Sequence, residues 1–241
     1  MGKLIAFVGP PGGGKTSVAL KAAIEVYCNT KGNKILFLSP DLYVPSLGLL
    51  FPNSAPEDLK SLGLLFDRTD ISMQAIFDAS VTFKSMPDLV CLGFKVDDNK
   101  NQFPEPIPTK VDMLFDVLKR SIEYTFVDCS DDSSDSISNR AVQIADVIVR
   151  VIPADLKGMA WYAANKHLYG SDGRDIRNVV NVKERDLYLP TDDICTTLQE
   201  VTAVLPYSRL LKQHLLDGRM GERLKDRAYT RKLNELVKFL M

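Results

Sequence analysis

The sequence predicts an α/β fold: a doubly wound, mostly parallel sheet of seven to eight strands with helices on both faces. Two observations carry that expectation. Short, almost wholly apolar runs recur along the chain, as buried parallel strands require. Between them lie stretches with helical periodicity, so strand and helix alternate and the crossovers can be right-handed βαβ units. The first run is Leu4-Ile5-Ala6-Phe7-Val8, followed by a glycine-rich turn and a helix beginning at Ser17-Val18-Ala19-Leu20. Lys34 to Leu38 is the second strand, set off by the turn Lys31-Gly32-Asn33. Leu89 to Phe94, Tyr124 to Asp128, Val147 to Ile152, Asn178 to Val182 and Glu200 to Leu205 follow as strands. Helices are predicted over Val111 to Ile122, Ser136 to Ala145 and Leu156 to Tyr169. Phe51 to Pro56 and the proline-bearing stretch Lys95 to Thr109 read as exposed connections.

The bulk properties agree with one large domain over residues 1–241. Hydrophobic residues make up 45% of the 241, enough for a sizeable core, and the formal net charge is −1, so the whole molecule is no polycation seeking nucleic acid. The four cysteines, Cys28, Cys91, Cys129 and Cys195, are far apart and form no C-x-x-C pair. That spacing argues against a zinc ribbon, an iron–sulfur carrier or a disulfide scaffold and fits reduced thiols in a cytoplasm. The amino-terminal run is expected to be a strand rather than a signal peptide, and no apolar stretch approaches membrane-spanning length.

The turn after the first strand is Gly9-Pro10-Pro11-Gly12-Gly13-Gly14-Lys15-Thr16, which fits the Walker A pattern G-x-x-x-x-G-K-[ST] in a strand–loop–helix context. Glycines let the backbone curl so that several N–H groups face one anion, and the new helix adds the positive end of its dipole. The expected ligand is a nucleotide polyphosphate. Gly9 to Thr16 and Ser17 would line it, Lys15 would meet the β- and γ-phosphates, and Thr16 would place its hydroxyl on Mg²⁺. Asp128 ends the fourth predicted strand, where an aspartate of a P-loop protein holds Mg²⁺. Many P-loop ATPases carry a glutamate next, to polarise the attacking water; here Cys129 stands there. Asp41, after the second strand in Ser39-Pro40-Asp41, is the candidate replacement, as catalytic group and as a carboxylate near the metal; the competing reading is a turn aspartate after proline. Asp131-Asp132-Ser133-Ser134-Asp135 reads either as a loop that caps the next helix or as a switch loop.

Several pieces in order resemble the ParA/MinD family of P-loop ATPases, the deviant Walker A group. The P-loop opens the likeness. Ile35 to Asp41 is similar to the family strand that ends in two aspartates, with Asp41 at the second and Ser39 in place of the first. Tyr124 to Ser130, Ala145 to Ile152, Arg177 to Asn181, and Val204 to Ser208 with Leu216-Asp217-Gly218-Arg219 resemble later family segments. The resemblance implies a slow ATPase with ATP and Mg²⁺ as cofactors, Asn181, Pro206 and Tyr207 around adenine, and a nucleotide-dependent homodimer. It implies a switch that positions a cargo through a protein partner in a secretion, pilus or partition system. One departure matters: the family's signature lysine falls at Pro10, which has neither charge nor N–H. Members resembling TadZ and CpaE also have atypical loops, and the likeness leans toward them. Guanine recognition by an N-K-x-D motif lacks its aspartate in Asn181-Val182-Lys183-Glu184.

The carboxyl-terminal region is basic. Arg209, Lys212, Arg219, Arg223, Lys225, Arg227, Arg231 and Lys232 could form a non-specific DNA surface or a solvated face of mixed charge. Leu233, Leu236, Val237 and Leu240 have helical spacing, which suits packing on the domain better than peripheral membrane contact. His167 and His214 belong to no metal or triad pattern, and Trp161 with Tyr162 reads as packing or a partner surface. The rival functions are a DNA-partitioning ATPase, a ligase on the same fold resembling dethiobiotin synthetase, and a nucleotide-binding scaffold without turnover.

Overall fold

A computed structural model describes residues 1–55, 57–169, 173–186, 188–198 and 200–241. Among them one sheet of eight strands has the order β3-β4-β2-β5-β1-β6-β7-β8. The strands are β1 (Lys3–Val8), β2 (Ile35–Ser39), β3 (Val81–Phe83), β4 (Met86–Gly93), β5 (Tyr124–Asp128), β6 (Val147–Pro153), β7 (Asp175–Asn181) and β8 (Val201–Leu205). Every neighbouring pair is parallel except β3 with β4. All seven predicted strands are present with ends moved by a few residues. β3 was not foreseen.

Alternation across β1 explains why both faces are covered. Ile5 and Phe7 point into a core shared with α1 (Lys15–Asn29) and α10 (Arg227–Leu240), while Leu4, Ala6 and Val8 join a second core with α5 (Pro108–Ser121) and α6 (Ser136–Ile144). Successive side chains of a strand point to opposite faces, so a strand buried on both reads as a continuous apolar run. Short helices α2 (Leu47–Leu50), α3 (Gly63–Phe66) and α4 (Met73–Asp78) fill the span before β3. α7 (Leu156–Asn165) is shorter than predicted, ending before Lys166. α8 (Thr191–Leu198) and α9 (Arg209–Leu216) precede α10. In the predicted loop Phe51 to Pro56, residue Pro56 lies outside the described residues.

The amphipathic end is a packed helix. Tyr229, Leu233, Leu236, Val237 and Leu240 of α10 are buried in the core that contains α1. Its apolar face is therefore already covered by the domain's own core. No described helix is long and apolar enough to cross a membrane. Trp161 stacks with Tyr169 at 6.3 Å between centroids and packs on the core, as expected of a packing residue. Of the two histidines, His214 is buried and His167 exposed.

α1 is tied to the chain's far end. Buried Lys21 donates to the carbonyls of Met220 at 2.7 Å and Glu222 at 2.8 Å, with His214 Nδ1 at 3.4 Å. Glu25 of the same helix accepts from Arg223 Nε at 3.0 Å and Nη2 at 2.8 Å. These contacts lock the helix behind the glycine loop to the α9–α10 connection.

Candidate functional site

The register brings the relevant strand ends together. Phe7 of β1 pairs with Asp128 of β5, and Leu38 of β2 pairs with Val127, so the residues following β1, β2 and β5 emerge side by side at the carboxyl edge of the sheet. Open α/β sheets bind ligands at that edge. A cavity of about 360 Å³ lies there, lined by Pro10 to Ser17, Asp41 and Asp128. Its other wall is apolar: Val44, Leu49, Leu50, Leu215 and Met220.

The glycine loop is shaped by two left-handed residues, Gly12 at φ 69° and Gly14 at φ 89°. A Cβ on Gly14 would lie 2.4 Å from the Asn181 amide nitrogen, so the site demands glycine on two counts. A Cβ on Gly9 would lie 2.4 Å from the Val151 carbonyl, which seats the loop on β6. Pro10 closes a turn by accepting from Gly13 N at 2.9 Å. From outside, Lys157 donates to Pro11 O at 2.9 Å and Lys183 to Gly12 O at 3.2 Å. Outward carbonyls are thus held by cations.

Asp128 is the most constrained acid of the site. It is 3% exposed, its Oδ2 lies 3.4 Å from the Ser39 hydroxyl, and its Oδ1 has no hydrogen-bond partner among the described residues. Burial pushes its pKa up to about 6; the nearby Lys15 ammonium and Thr16 hydroxyl pull the other way, and Asp41 and Asp131 add repulsion. A buried carboxylate oxygen left unpaired, beside a hydroxyl and facing a second acid, suits a divalent cation. No cluster of three His, Cys, Asp or Glu among the described residues could hold a metal alone. The donor set of Thr16, Asp128 and Asp41 instead matches Mg²⁺, which keeps waters and binds through few carboxylates plus substrate phosphates.

The structure brings most of the expected site together. Lys15, Thr16, Ser17, Asp41 and Asp128 share the cavity. Asp41 also accepts from Tyr43 N at 2.9 Å and Val44 N at 3.0 Å, so it shapes its own turn while facing the site. The base-binding trio fares differently. Asn181 is 6% exposed and gives its amide nitrogen to Gly13 O at 2.9 Å, bracing the loop from behind. Pro206 and Tyr207 lie outside the residues lining the cavity, and Tyr207 stacks under Lys212 at 5.2 Å. Strand ends fix where these residues start, and local hydrogen bonding decides which way they face.

Three features were not foreseen. Asp131 forms an ion pair with Lys15 at 2.7 Å. Ser39, which stands where the resembling family has an aspartate, contributes a hydroxyl next to Asp128. The α9–α10 connection supplies Leu215 and Met220 to the cavity. Asp135, by contrast, caps α6 through Ile137 N and Ser138 N, as one reading of the acidic run expected.

No family model and no curated protein matches the chain. Solved structures do. The septum site-determining protein MinD complexed with Mg-ADP from Pyrococcus horikoshii OT3 superposes with a TM-score of 0.77, at 18% identity, over 99% of this chain and 96% of that one. The Pyrococcus furiosus cell division ATPase MinD gives 0.75 at 20% identity, over 99% and 100%. The chain has the MinD/ParA fold. A ParA family ATPase from Chlorobium tepidum TLS extends the likeness, with a TM-score of 0.75 at 13% identity over 98% of both chains. A MinD/ParA fold spanning the chain nearly end to end accounts for the strand order and for the loop that opens it.

Proposed function

We propose that the chain binds Mg·ATP at the glycine loop and hydrolyses it slowly, using nucleotide state as a switch. The observation that carries this reading is the convergence of Lys15, Thr16, Asp128 and Asp41 on one cavity at the carboxyl edge of the sheet. Lys15 and the loop N–H groups stabilise charge on the transferring phosphoryl group. Thr16 and Asp128 would hold Mg²⁺, which when bound would neutralise charge on the phosphates. Asp41 positions the attacking water, a role that Cys129, buried and lifted in pKa by that burial, cannot fill. The MinD and ParA-family folds support this reading, as does the magnesium nucleotide held by one of those structures.

The output is a change in affinity for a second copy or a protein partner, through the loops after Asp41 and Asp128. Positioning a secretion or pilus complex, or a DNA cargo, in the cytoplasm is the biological reading. The TadZ/CpaE-like variant of it rests on Pro10, which stands where the resembling family has its signature lysine. Direct DNA binding has less support: Lys212, Arg219, Arg223 and Lys232 are each paired with a glutamate. The test is to compare ATPase rates of wild type, Lys15→Ala and Asp41→Ala while following oligomer size with and without ATP. Both variants should lose turnover, and ATP should enlarge only the proteins that bind it. A rate untouched by Asp41→Ala removes Asp41 from the mechanism.

A further inference from the structure

Lys15 is not waiting free at the mouth of the loop. Its side chain, 10% exposed, is held at 2.7 Å by Asp131 Oδ1, whose side chain is 30% exposed. A phosphate arriving at the loop needs the same ammonium group. Two anions cannot share one cation at contact distance without repelling each other, and Asp131 is exposed enough to return to water cheaply. The next residue continues the connection. Asp132 Oδ2 accepts from Lys100 at 2.8 Å, and Lys100 also reaches Ser134 Oγ at 3.3 Å. The same ammonium sits 4.5 Å above the ring of Tyr43, and Tyr43 N is bound by Asp41 at 2.9 Å. A chain of contacts thus runs from the glycine-loop lysine, through two consecutive aspartates, Lys100 and Tyr43, to Asp41, which also lines the cavity.

We propose that Asp131 is a built-in stand-in for phosphate, holding Lys15 until nucleotide displaces it, and that Lys100 carries the displacement to the segment after Asp41. The inference rests on the nucleotide-binding reading above and adds what the bound phosphate changes. Binding must overcome the internal ion pair, so affinity is lower than the loop alone would give. The released carboxylate moves the turn Asp131–Ser134, and that turn moves Lys100 relative to Tyr43. Lys100 lies in the proline-bearing connection before α5, so a surface segment learns the state of the site.

The test is a calorimetric titration in Mg²⁺ with ADP and separately with adenosine, on wild type, Asp131→Asn and Asp132→Asn. Asp131→Asn should bind ADP about tenfold tighter, the effect of deleting one charged competitor, and should bind adenosine as wild type does, because Lys15 meets only phosphates. Asp132→Asn removes an equal charge one residue away and should leave ADP affinity within about threefold. Equal tightening by both variants, or tightening toward adenosine, reduces the effect to loosened loops or bulk charge and overturns the stand-in role. Hydrogen exchange of Lys100→Met then tests the relay: it should bind ADP normally but lose the ADP-induced change at residues 41–44. A change at 41–44 that survives in Lys100→Met overturns that half. If wild type and Asp131→Asn both fail to bind ADP, the phosphate-site reading falls and takes this inference with it; binding by wild type with no gain in Asp131→Asn sinks the inference alone.

Discussion

Gly14→Ala should be among the costliest single-methyl changes in this protein, and its cost should be divisible. The backbone at Gly14 has φ 89°, and a side chain there would place Cβ 2.4 Å from Asn181 Nδ2. An L-residue held in the left-handed region costs about 1–2 kcal/mol. Relieving an overlap of that depth against a buried amide costs about 1–3 kcal/mol more. The sum, about 2–5 kcal/mol, corresponds to a fall in Tm on the order of 10 °C for a chain of this length. Asn181→Ala alone loses the hydrogen bond to the Gly13 carbonyl, worth about 1–3 kcal/mol when the partner is left buried and unpaired. In the double variant the overlap is gone, and the backbone strain and the unpaired Gly13 carbonyl remain. Denaturant unfolding of the four proteins should therefore show the double variant more stable than the sum of the singles by about 1–3 kcal/mol. Strict additivity would mean that Asn181 does not brace the loop in the manner described.

Other expectations follow from the same contacts. Burial lifts Asp128 from 3.8 to about 6, so the folded chain holds that proton more tightly than the unfolded chain; this contribution to stability is present below about pH 4 and lost as pH rises through 6. Asp128→Asn should then raise the Tm of the nucleotide-free protein at pH 8, measured by scanning calorimetry, while abolishing the Mg²⁺ dependence of nucleotide binding. Burial lowers Lys21 from 10.5 to about 7, the opposite sense: the folded chain holds its proton more weakly, and stability should climb as pH rises from about 7 toward 10. Urea midpoints across that range should show the climb in wild type and a flatter profile in Lys21→Met. Leu236→Ala, in the fully buried face of α10, should cost about 2–5 kcal/mol in urea unfolding. Sedimentation with anionic vesicles should show no binding that Leu236→Ala alters.

The sheet was legible because its strands are buried on both faces, which writes them as apolar runs. β1 and β2 show this most plainly. β3 was hidden for the opposite reason. Val81-Thr82-Phe83 is a short antiparallel edge with Thr82 exposed, and no run distinguishes it from a loop. α2 and α3 have four residues each, too few to display a helical period. In the site, the glycine loop could be read because its chemistry is local, set by glycines, Lys15 and Thr16 within one turn. The ion pair of Lys15 with Asp131 spans 116 positions and appears only when β1 and β5 lie side by side. The acidic run after β5 was the available signal, and it pointed first to a cap, which Asp135 is. Asn181 shows the remaining gap: its position at a strand end placed it near the loop, but no local pattern shows its hydrogen bond to the Gly13 carbonyl, 168 positions away.

The most direct measurement is equilibrium binding of ATP to the purified chain with and without Mg²⁺, wild type against Lys15→Ala. Saturable binding that strengthens with magnesium and disappears in the folded Lys15→Ala protein is the predicted result. A wild-type chain that ignores ATP, or a Lys15→Ala chain that binds it equally well, would contradict the assignment of the glycine loop as a phosphate cradle.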